Sequence, residues 1–272
     1  MTLIRKLTPE MLDGLNENDP LAIKSRHDLR RIHRFMGTQN IIFKALHQLD
    51  LNLPSSKSPS INSPLSKSPL KVLEIGAGDG SLLLGLACQL SLSKKLAPYW
   101  SHVDLTLIDQ QDLVSYQTIS DYAQFGWNVC VQKTDVMHWA LNTIKNTDNY
   151  DLIIANLFLH HFSNDQLITI FERIKQQTDC FFACEPRRHW FALAASHLVG
   201  LIGANRVTRM DAIISVHAGF RDSELSNLWS AEKYSNRQSI DDLWRINEYS
   251  AGLFSHCFLV NKLAVSGAPL NI

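Results

Sequence analysis

From Lys71 onward the chain alternates short apolar runs with longer amphipathic stretches: KVLEIGAG, SLLLGLACQL, DLTLID, SYQTISDYAQF, NVCVQKTD, MHWALNTIK, YDLIIANLFLHHF, NDQLITIFERIKQ and DCFFACEP. The short runs are apolar at consecutive positions, so the strands they predict are buried on both faces. Crossover helices of about ten to fourteen residues between them require parallel neighbours, which gives an α/β, doubly wound sheet. The last run, WRINEYSAGLFSHCFLVNKL, reads as two strands about a short SAGL connection, an antiparallel hairpin that closes a seven-stranded sheet. Ligands of such sheets sit at the carboxyl ends of the strands.

Upstream the periodicity is helical. Leu29, Ile32, Met36, Phe43 and Leu46 recur at helical intervals over residues 20–50, interrupted at Gly37-Thr38, and predict two consecutive helices in an N-terminal lid of residues 1–53. Arg26, Arg30 and Arg34 stand at i, i+4 and i+8 and make one face of the first helix basic. A solvated face over a packing stripe is the simplest reading. The functional one is a lid that presents arginines, Arg30 among them, to an anionic group, or that lies on an anionic membrane surface. Residues 54–70, PSSKSPSINSPLSKSPL, bury too little apolar surface to order themselves and form a flexible linker to a domain over residues 71–265.

Composition narrows the function. The 272 residues are 45% hydrophobic, with 26 basic against 26 acidic side chains, which suits one large core and argues against a broad phosphate-binding surface. The apolar run FALAASHLVGLIGA has 14 residues, too short to span a bilayer, and its simplest reading is a buried helix. The first residues carry acids and no apolar core of a signal peptide, so a cytoplasmic protein without a transmembrane segment is expected. Five cysteines without a CxxC pair read as small buried hydrophobes, and eleven scattered histidines show no ligand spacing, so no metal is expected.

The informative segment is Val72-Leu73-Glu74-Ile75-Gly76-Ala77-Gly78-Asp79-Gly80, a strand running through a glycine-rich turn into a helix. A dinucleotide loop would carry glycine at position 81, where this chain has Ser81, and Glu74 suits a cationic ligand better than a pyrophosphate. The segment resembles the first motif of the class I S-adenosylmethionine-dependent methyltransferases, and the likeness extends by motif order over roughly residues 70–186. It implies a Rossmann-like sheet and S-adenosyl-L-methionine as cofactor. By the same resemblance Glu74, Gly76, Ala77, Gly78 and Gly80 line the cofactor, and Asp109, with Gln110 beside it, accepts the ribose hydroxyls. Asp135 takes the adenine amino group while the amide of Val136 meets the ring, and Asn156 lies beside the methionine part.

Beyond Asn156, LFLHHF resembles the ubiquinone and menaquinone methyltransferase-like branch and many small-molecule enzymes. The Asn/Asp-Pro-Pro-aromatic motif of nucleic-acid amino-methyltransferases is absent, and Cys184 does not match the nucleophile of RNA cytosine enzymes. The expected acceptor is a hydroxylated aromatic, polyketide or lipid-like small molecule rather than nucleic acid. A phenol needs a base, and His160 or His161 would serve. Arg187 and Arg188 would hold a carboxylate or phenolate. Residues 187–235 exceed an ordinary crossover and form an acceptor-side insertion, expected to build with residues 20–50 the wall of an apolar pocket. Three rivals stand beside this reading: a nicotinamide oxidoreductase, opposed by Glu74 and Ser81; an RNA methyltransferase, favoured by the basic helix and opposed by the neutral charge; and a non-catalytic binder of the same cofactor.

Overall fold

Strand β1 (Leu70–Ile75) shows why the strands read as unbroken apolar runs. Val72 enters a core on one side of the sheet and Leu73 a core on the other. Successive side chains of a strand point to opposite faces, and here both faces are covered. The same split recurs at Leu107/Ile108, Ile153/Ile154 and Phe181/Phe182. The computed structural model describes residues 3–49, 68–142, 149–231 and 244–263. Its sheet runs β3 (Trp127–Lys133), β2 (Val103–Asp109), β1, β4 (Leu152–Asn156), β5 (Cys180–Pro186), β7 (Ser255–Lys262), β6 (Trp244–Ala251). The first five strands are mutually parallel, and β7 pairs antiparallel with both β5 and β6, so the seven-stranded sheet and its closing hairpin are as expected.

Helices α2 (Thr38–Gln48), α3 (Ser81–Ser91) and α4 (Tyr116–Ala123) cover one face through Ile42, Leu46, Leu86, Leu90 and Tyr122. The other face carries α5 (Val136–Leu141), α6 (Asn164–Gln177) and α9 (Glu224–Ser230), where Trp229 stacks on Phe181 at 6.0 Å. Local chemistry sets the helix starts: Ser163 and Gln166 form a capping box on α6, and Asp135 caps α5. Asp19 caps α1 (Pro20–Met36), whose first residue is proline, and Gly37 at φ 67° ends α1 and opens α2. The expected break at Gly37-Thr38 is therefore a left-handed turn between two helices.

Several expectations need correction. The two lid helices lie within residues 20–50 as expected, but the preceding residues 3–19 of the lid are an extended strap with one 3-10 turn (Leu12–Gly14) rather than helix. Tertiary partners hold the strap: the Asp211 carboxylate accepts the amides of Met11 and Leu12, and Arg5 donates to the Phe162 and Ala218 carbonyls beneath its cation–π contact with Phe220. The stretch 191–204 is not one buried helix. It splits into α7 (Trp190–Ser196) and a 3-10 turn (Val199–Ile202) ended by Gly203 at φ 80°, and it packs under α8 (Arg206–Ala218) with much of its apolar surface outside. Cys180, Cys184 and Cys257 are buried, but Cys88 and Cys130 are exposed, because Cys130 lies on the edge strand β3 and Cys88 on the outer side of α3. The linker over 54–70 lies outside the described residues save for its last three, of which Leu70 already opens β1. Among the described residues no helix is long and apolar enough to cross a membrane.

Candidate active site

The strand order reverses between β1 and β4, and the connections leaving their carboxyl ends diverge to opposite sides. A cleft of about 490 Å³ opens there. The glycine-rich turn after β1 forms its floor. Gly76 has φ 72°, its amide and that of Ala77 are held by the Ile108 carbonyl, and a Cβ at this position would overlap the Phe158 ring. Gly78, at φ 56°, has open space where a Cβ would point. Gly76→Ala is therefore expected to lower the melting temperature markedly more than Gly78→Ala, which meets only the left-handed backbone penalty of roughly 1–2 kcal/mol. Equal melting temperatures would show that Phe158 moves aside freely.

Glu74, next to last in β1, and Asn156, last in the neighbouring β4, line the cleft and are buried. Glu74 Oε2 and Asn156 Oδ1 have no hydrogen-bond partner. Burial, reinforced by Asp79 and Asp109, pushes the Glu74 carboxyl well above the ordinary range. Two orphaned acceptors in one cleft are a cradle for a donor-bearing, cationic ligand, since leaving them unmet is unfavourable. At the end of β2, Asp109 accepts the Gly78 amide at 2.8 Å and the Gln111 amide at 2.9 Å, which fixes its carboxylate against the glycine turn, and it lines the cleft beside Gln110. Asp135 and Val136 line the cleft after β3, with Asp135 Oδ1 engaged by the amides of Met137 and His138.

Gly80 is placed differently from the other glycines. It does not line the cleft but caps α3 at φ 72°, its carbonyl accepting the Tyr122 hydroxyl at 2.7 Å while Leu107 packs behind it. Arg30 reaches the rim and pairs with Asp79; Arg26 also lines the cleft, whereas Arg34 is exposed on the outside. Arg187 and Arg188 lie away from the cleft, contrary to expectation, in a second cavity of about 300 Å³ with Leu3, Trp190 and Asp222. Past Pro186 the chain turns outward: the Arg187 amide donates to the Phe254 carbonyl, and buried Arg188 donates to the Leu3 and Gly219 carbonyls and pairs with Glu224. Arg187 thus fastens the hairpin, and Arg188 the strap and the insertion.

The loop after β4 is built around a carboxylate on the next strand. Leu157 takes a left-handed φ of 47°, and fully buried Glu185 accepts the amides of Phe158, Leu159 and His160. Glu185 Oε2 also meets His160 Nδ1 at 2.9 Å, while Nε2 faces Glu10 Oε1 of the strap at 3.2 Å. Burial alone would lower the pKa of His160, but hydrogen bonds to Glu10 and Glu185 push it up to about 9. At neutral pH His160 is an imidazolium clamped between two carboxylates, which does not suit the expected role of free base. His161 lines the cleft, with Nδ1 at 3.3 Å from Asp13 Oδ2 of the strap. Glu10, His160 and His161 bring donor atoms within 4.8 Å of one another, a grouping the sequence spacing did not suggest; in the protonated form both nitrogens of His160 are taken up by Glu10 and Glu185.

Sequence reasoning missed Glu10, Leu12, Asp13 and Glu185. The cue for Glu185 was available, an acid inside the otherwise apolar run CFFACEP, the same signal that marked Glu74. The strap residues carry no local signal. Of the expected wall, α1 contributes Arg26, Leu29, Arg30 and His33, but among the described residues 187–231 only Ser215 lines the cleft, and the acceptor end mixes Leu12, Phe158 and Phe162 with Glu10, Asp13 and His161.

No protein-family model matches the chain, and no curated protein does. Among solved structures it is similar to the plantazolicin methyltransferase BpumL in complex with SAH, at 16% identity and TM-score 0.54 over 90% of this chain and 92% of that one. It is similar also to the plantazolicin methyltransferase BamL in complex with a triazolic desmethylPZN analog and SAH, at 14% identity and TM-score 0.54 over 92% of each chain. With this strand order, the reversed last strand pair and the glycine turn after β1, the chain has the fold of the class I S-adenosylmethionine-dependent methyltransferases.

Proposed function

We propose that the chain is an S-adenosylmethionine-dependent methyltransferase of a small-molecule acceptor, with a hydroxylated aromatic or lipid-like compound as the acceptor class. The observation that carries this reading is the pair of unpartnered buried acceptors, Glu74 and Asn156, in one cleft with Asp109 and Asp135 at successive strand ends. The similar plantazolicin methyltransferases hold SAH in this fold. Bound there, the cofactor supplies a methyl group already electrophilic on a sulfonium.

The chain's own residues then have separable tasks. Glu74 meets the ammonium end, Asp109 the ribose hydroxyls, Asp135 and Val136 the adenine, and Asn156 the methionine part. His161 is the base: the Asp13 carboxylate lies 3.3 Å from its Nδ1 and favours the proton there, which leaves Nε2 to accept the acceptor's hydroxyl proton. His160, already charged, positions its neighbour and the loop. Glu10, Leu12 and Asp13 of the strap stand over the acceptor end and exclude water, which favours a small acceptor over a nucleic acid.

Titration calorimetry with S-adenosylmethionine and with NAD tests the cofactor. Binding is expected for the first alone, and Asp109→Ala should weaken it about a hundredfold or more, since each charge-assisted contact contributes roughly 1.5–3 kcal/mol. Burial raises the pKa of the Glu74 carboxyl and a cationic ligand beside it would lower it again, so binding should release protons and tighten as pH rises. Binding heats that do not depend on the buffer's ionisation enthalpy would remove Glu74 from the ammonium site. Labelled methyl transfer into a cell extract identifies the acceptor, and transfer into RNA would overturn the small-molecule reading.

A further inference from the structure

The outward surface of the insertion has properties the cleft does not use. Between Arg187 and Met210 there is not one acidic residue, while the stretch holds four arginines and two histidines. The only acid of α1, Asp28, is buried and paired with Lys24. On this basic ground large apolar side chains stand out: Leu201 is 83% exposed, Phe35 79%, Trp190 62% and Leu198 58%.

They form one patch rather than scattered singles. Phe254 at the hairpin tip links Phe35 of α1 and Phe191 of α7 at ring separations of 6.5 and 6.2 Å, and Phe191 meets Trp190 edge-on at 5.8 Å. Lys24 and Arg31 donate to the carbonyls of Gly203 and Ile202, which ties α1 to the 3-10 turn, and Arg209 lies against Gly200 in that turn. Asp222 and Glu224, on the chain after α8, are engaged by Arg221 and Arg188. Isolated exposed apolar residues need no explanation, but a contiguous aromatic and aliphatic patch ringed by arginines does.

We propose that this face, built from α1, α7, the 3-10 turn and the hairpin tip, docks onto a lipid bilayer carrying anionic headgroups. The chemistry of such a surface is complementary on both counts. Leu198, Leu201 and Trp190 enter the boundary of headgroups and acyl chains, and Arg31, Arg206 and Arg209 meet the headgroup charge. A protein partner would have to supply acids around an apolar recess of matching shape, whereas a bilayer accommodates protruding side chains of any outline. The opposite face of α1 lines the cleft through Leu29, Arg30 and His33, so the docking face and the cleft share one helix. The inference stands on the patch alone and does not depend on which acceptor is methylated.

Sedimentation of the full chain with vesicles tests it, using phosphatidylcholine alone and an equal mixture with phosphatidylglycerol. The protein is expected to sediment with the mixed vesicles and to be released by salt. Leu201→Asp, and Arg206→Glu combined with Arg209→Glu, should each lower the bound fraction's partition coefficient roughly tenfold or more. Leu92→Asp replaces an equally exposed leucine after α3, away from the patch, and should change nothing. Melting curves confirm that each variant is folded. Absence of sedimentation with the mixed vesicles would overturn the proposal, as would binding that survives both patch variants. A concentration-dependent dimer that Leu201→Asp dissolves, without vesicle binding, would assign the face to a second copy and overturn it equally.

Discussion

Glu185→Ala is expected to remove most of the stability margin of the protein. The carboxylate is wholly buried and accepts four hydrogen bonds, three from the amides of Phe158, Leu159 and His160 and one from His160 Nδ1. Alanine would leave three amides unmet and an imidazolium facing one carboxylate rather than two. Breaking a buried ion pair from one side alone typically destabilises by roughly 3–5 kcal/mol, a large part of the 5–15 kcal/mol by which domains are stable. Denaturant unfolding of the two proteins checks this, and a loss below about 1 kcal/mol would mean that the loop after β4 holds itself.

The same clamp gives stability a pH dependence whose sign follows from two shifts. The pKa of His160 is raised to about 9, so its contribution is fully present below the ordinary histidine value and is lost as pH rises through about 9. The pKa of Glu10 is lowered through His160 and Ser215 despite its burial, so its contribution is present above the ordinary glutamate value and is lost as pH falls through the depressed one. Stability should therefore peak between the two limits. The fall on the alkaline side should be of the order of 3 kcal/mol, at 1.36 kcal/mol for each unit of pKa shift. In His160→Gln that alkaline fall should disappear; its persistence would assign it to other groups.

His161→Ala is expected to lower turnover by about 10²–10⁴ while leaving cofactor affinity and melting temperature nearly unchanged. The ring lies on the cleft wall, and its polar partner in the structure is Asp13, which stands on the strap rather than in the sheet. Asp13→Ala should reproduce a smaller part of the loss, because the base remains but its tautomer and orientation are free. Kinetics with the acceptor found by labelled transfer make the comparison. If His161→Ala turns over normally, proton removal needs no base at this position, as in methylation of an already ionised acceptor.

What the sequence alone determined is whatever depends on neighbours in the chain. Unbroken apolar runs defined strands buried on both faces, and the SAGL hairpin defined the reversed edge. The order Glu74, Gly76, Gly78, Asp109, Asp135 and Asn156 was legible because each stands where a strand meets its turn, and a parallel sheet brings those ends to one side. The two helices about Gly37 were legible for the same reason, through periodicity and a residue that takes positive φ.

Tertiary structure decided the acceptor end. His160 and His161 are adjacent in sequence, yet one is clamped between carboxylates about 150 and 25 positions away and the other faces the cleft beside Asp13. Arg187 and Arg188 follow a strand end as Asp109 does, but Pro186 closes β5 beside the antiparallel hairpin, and pairing with Phe254 and Phe220 draws them out of the cleft. The strap of residues 3–19 has no periodicity to read. Its place is set by contacts with Asp211, Phe220 and His160, partners supplied by distant segments, and the protonation state of a histidine depends on which carboxylates the fold brings to it.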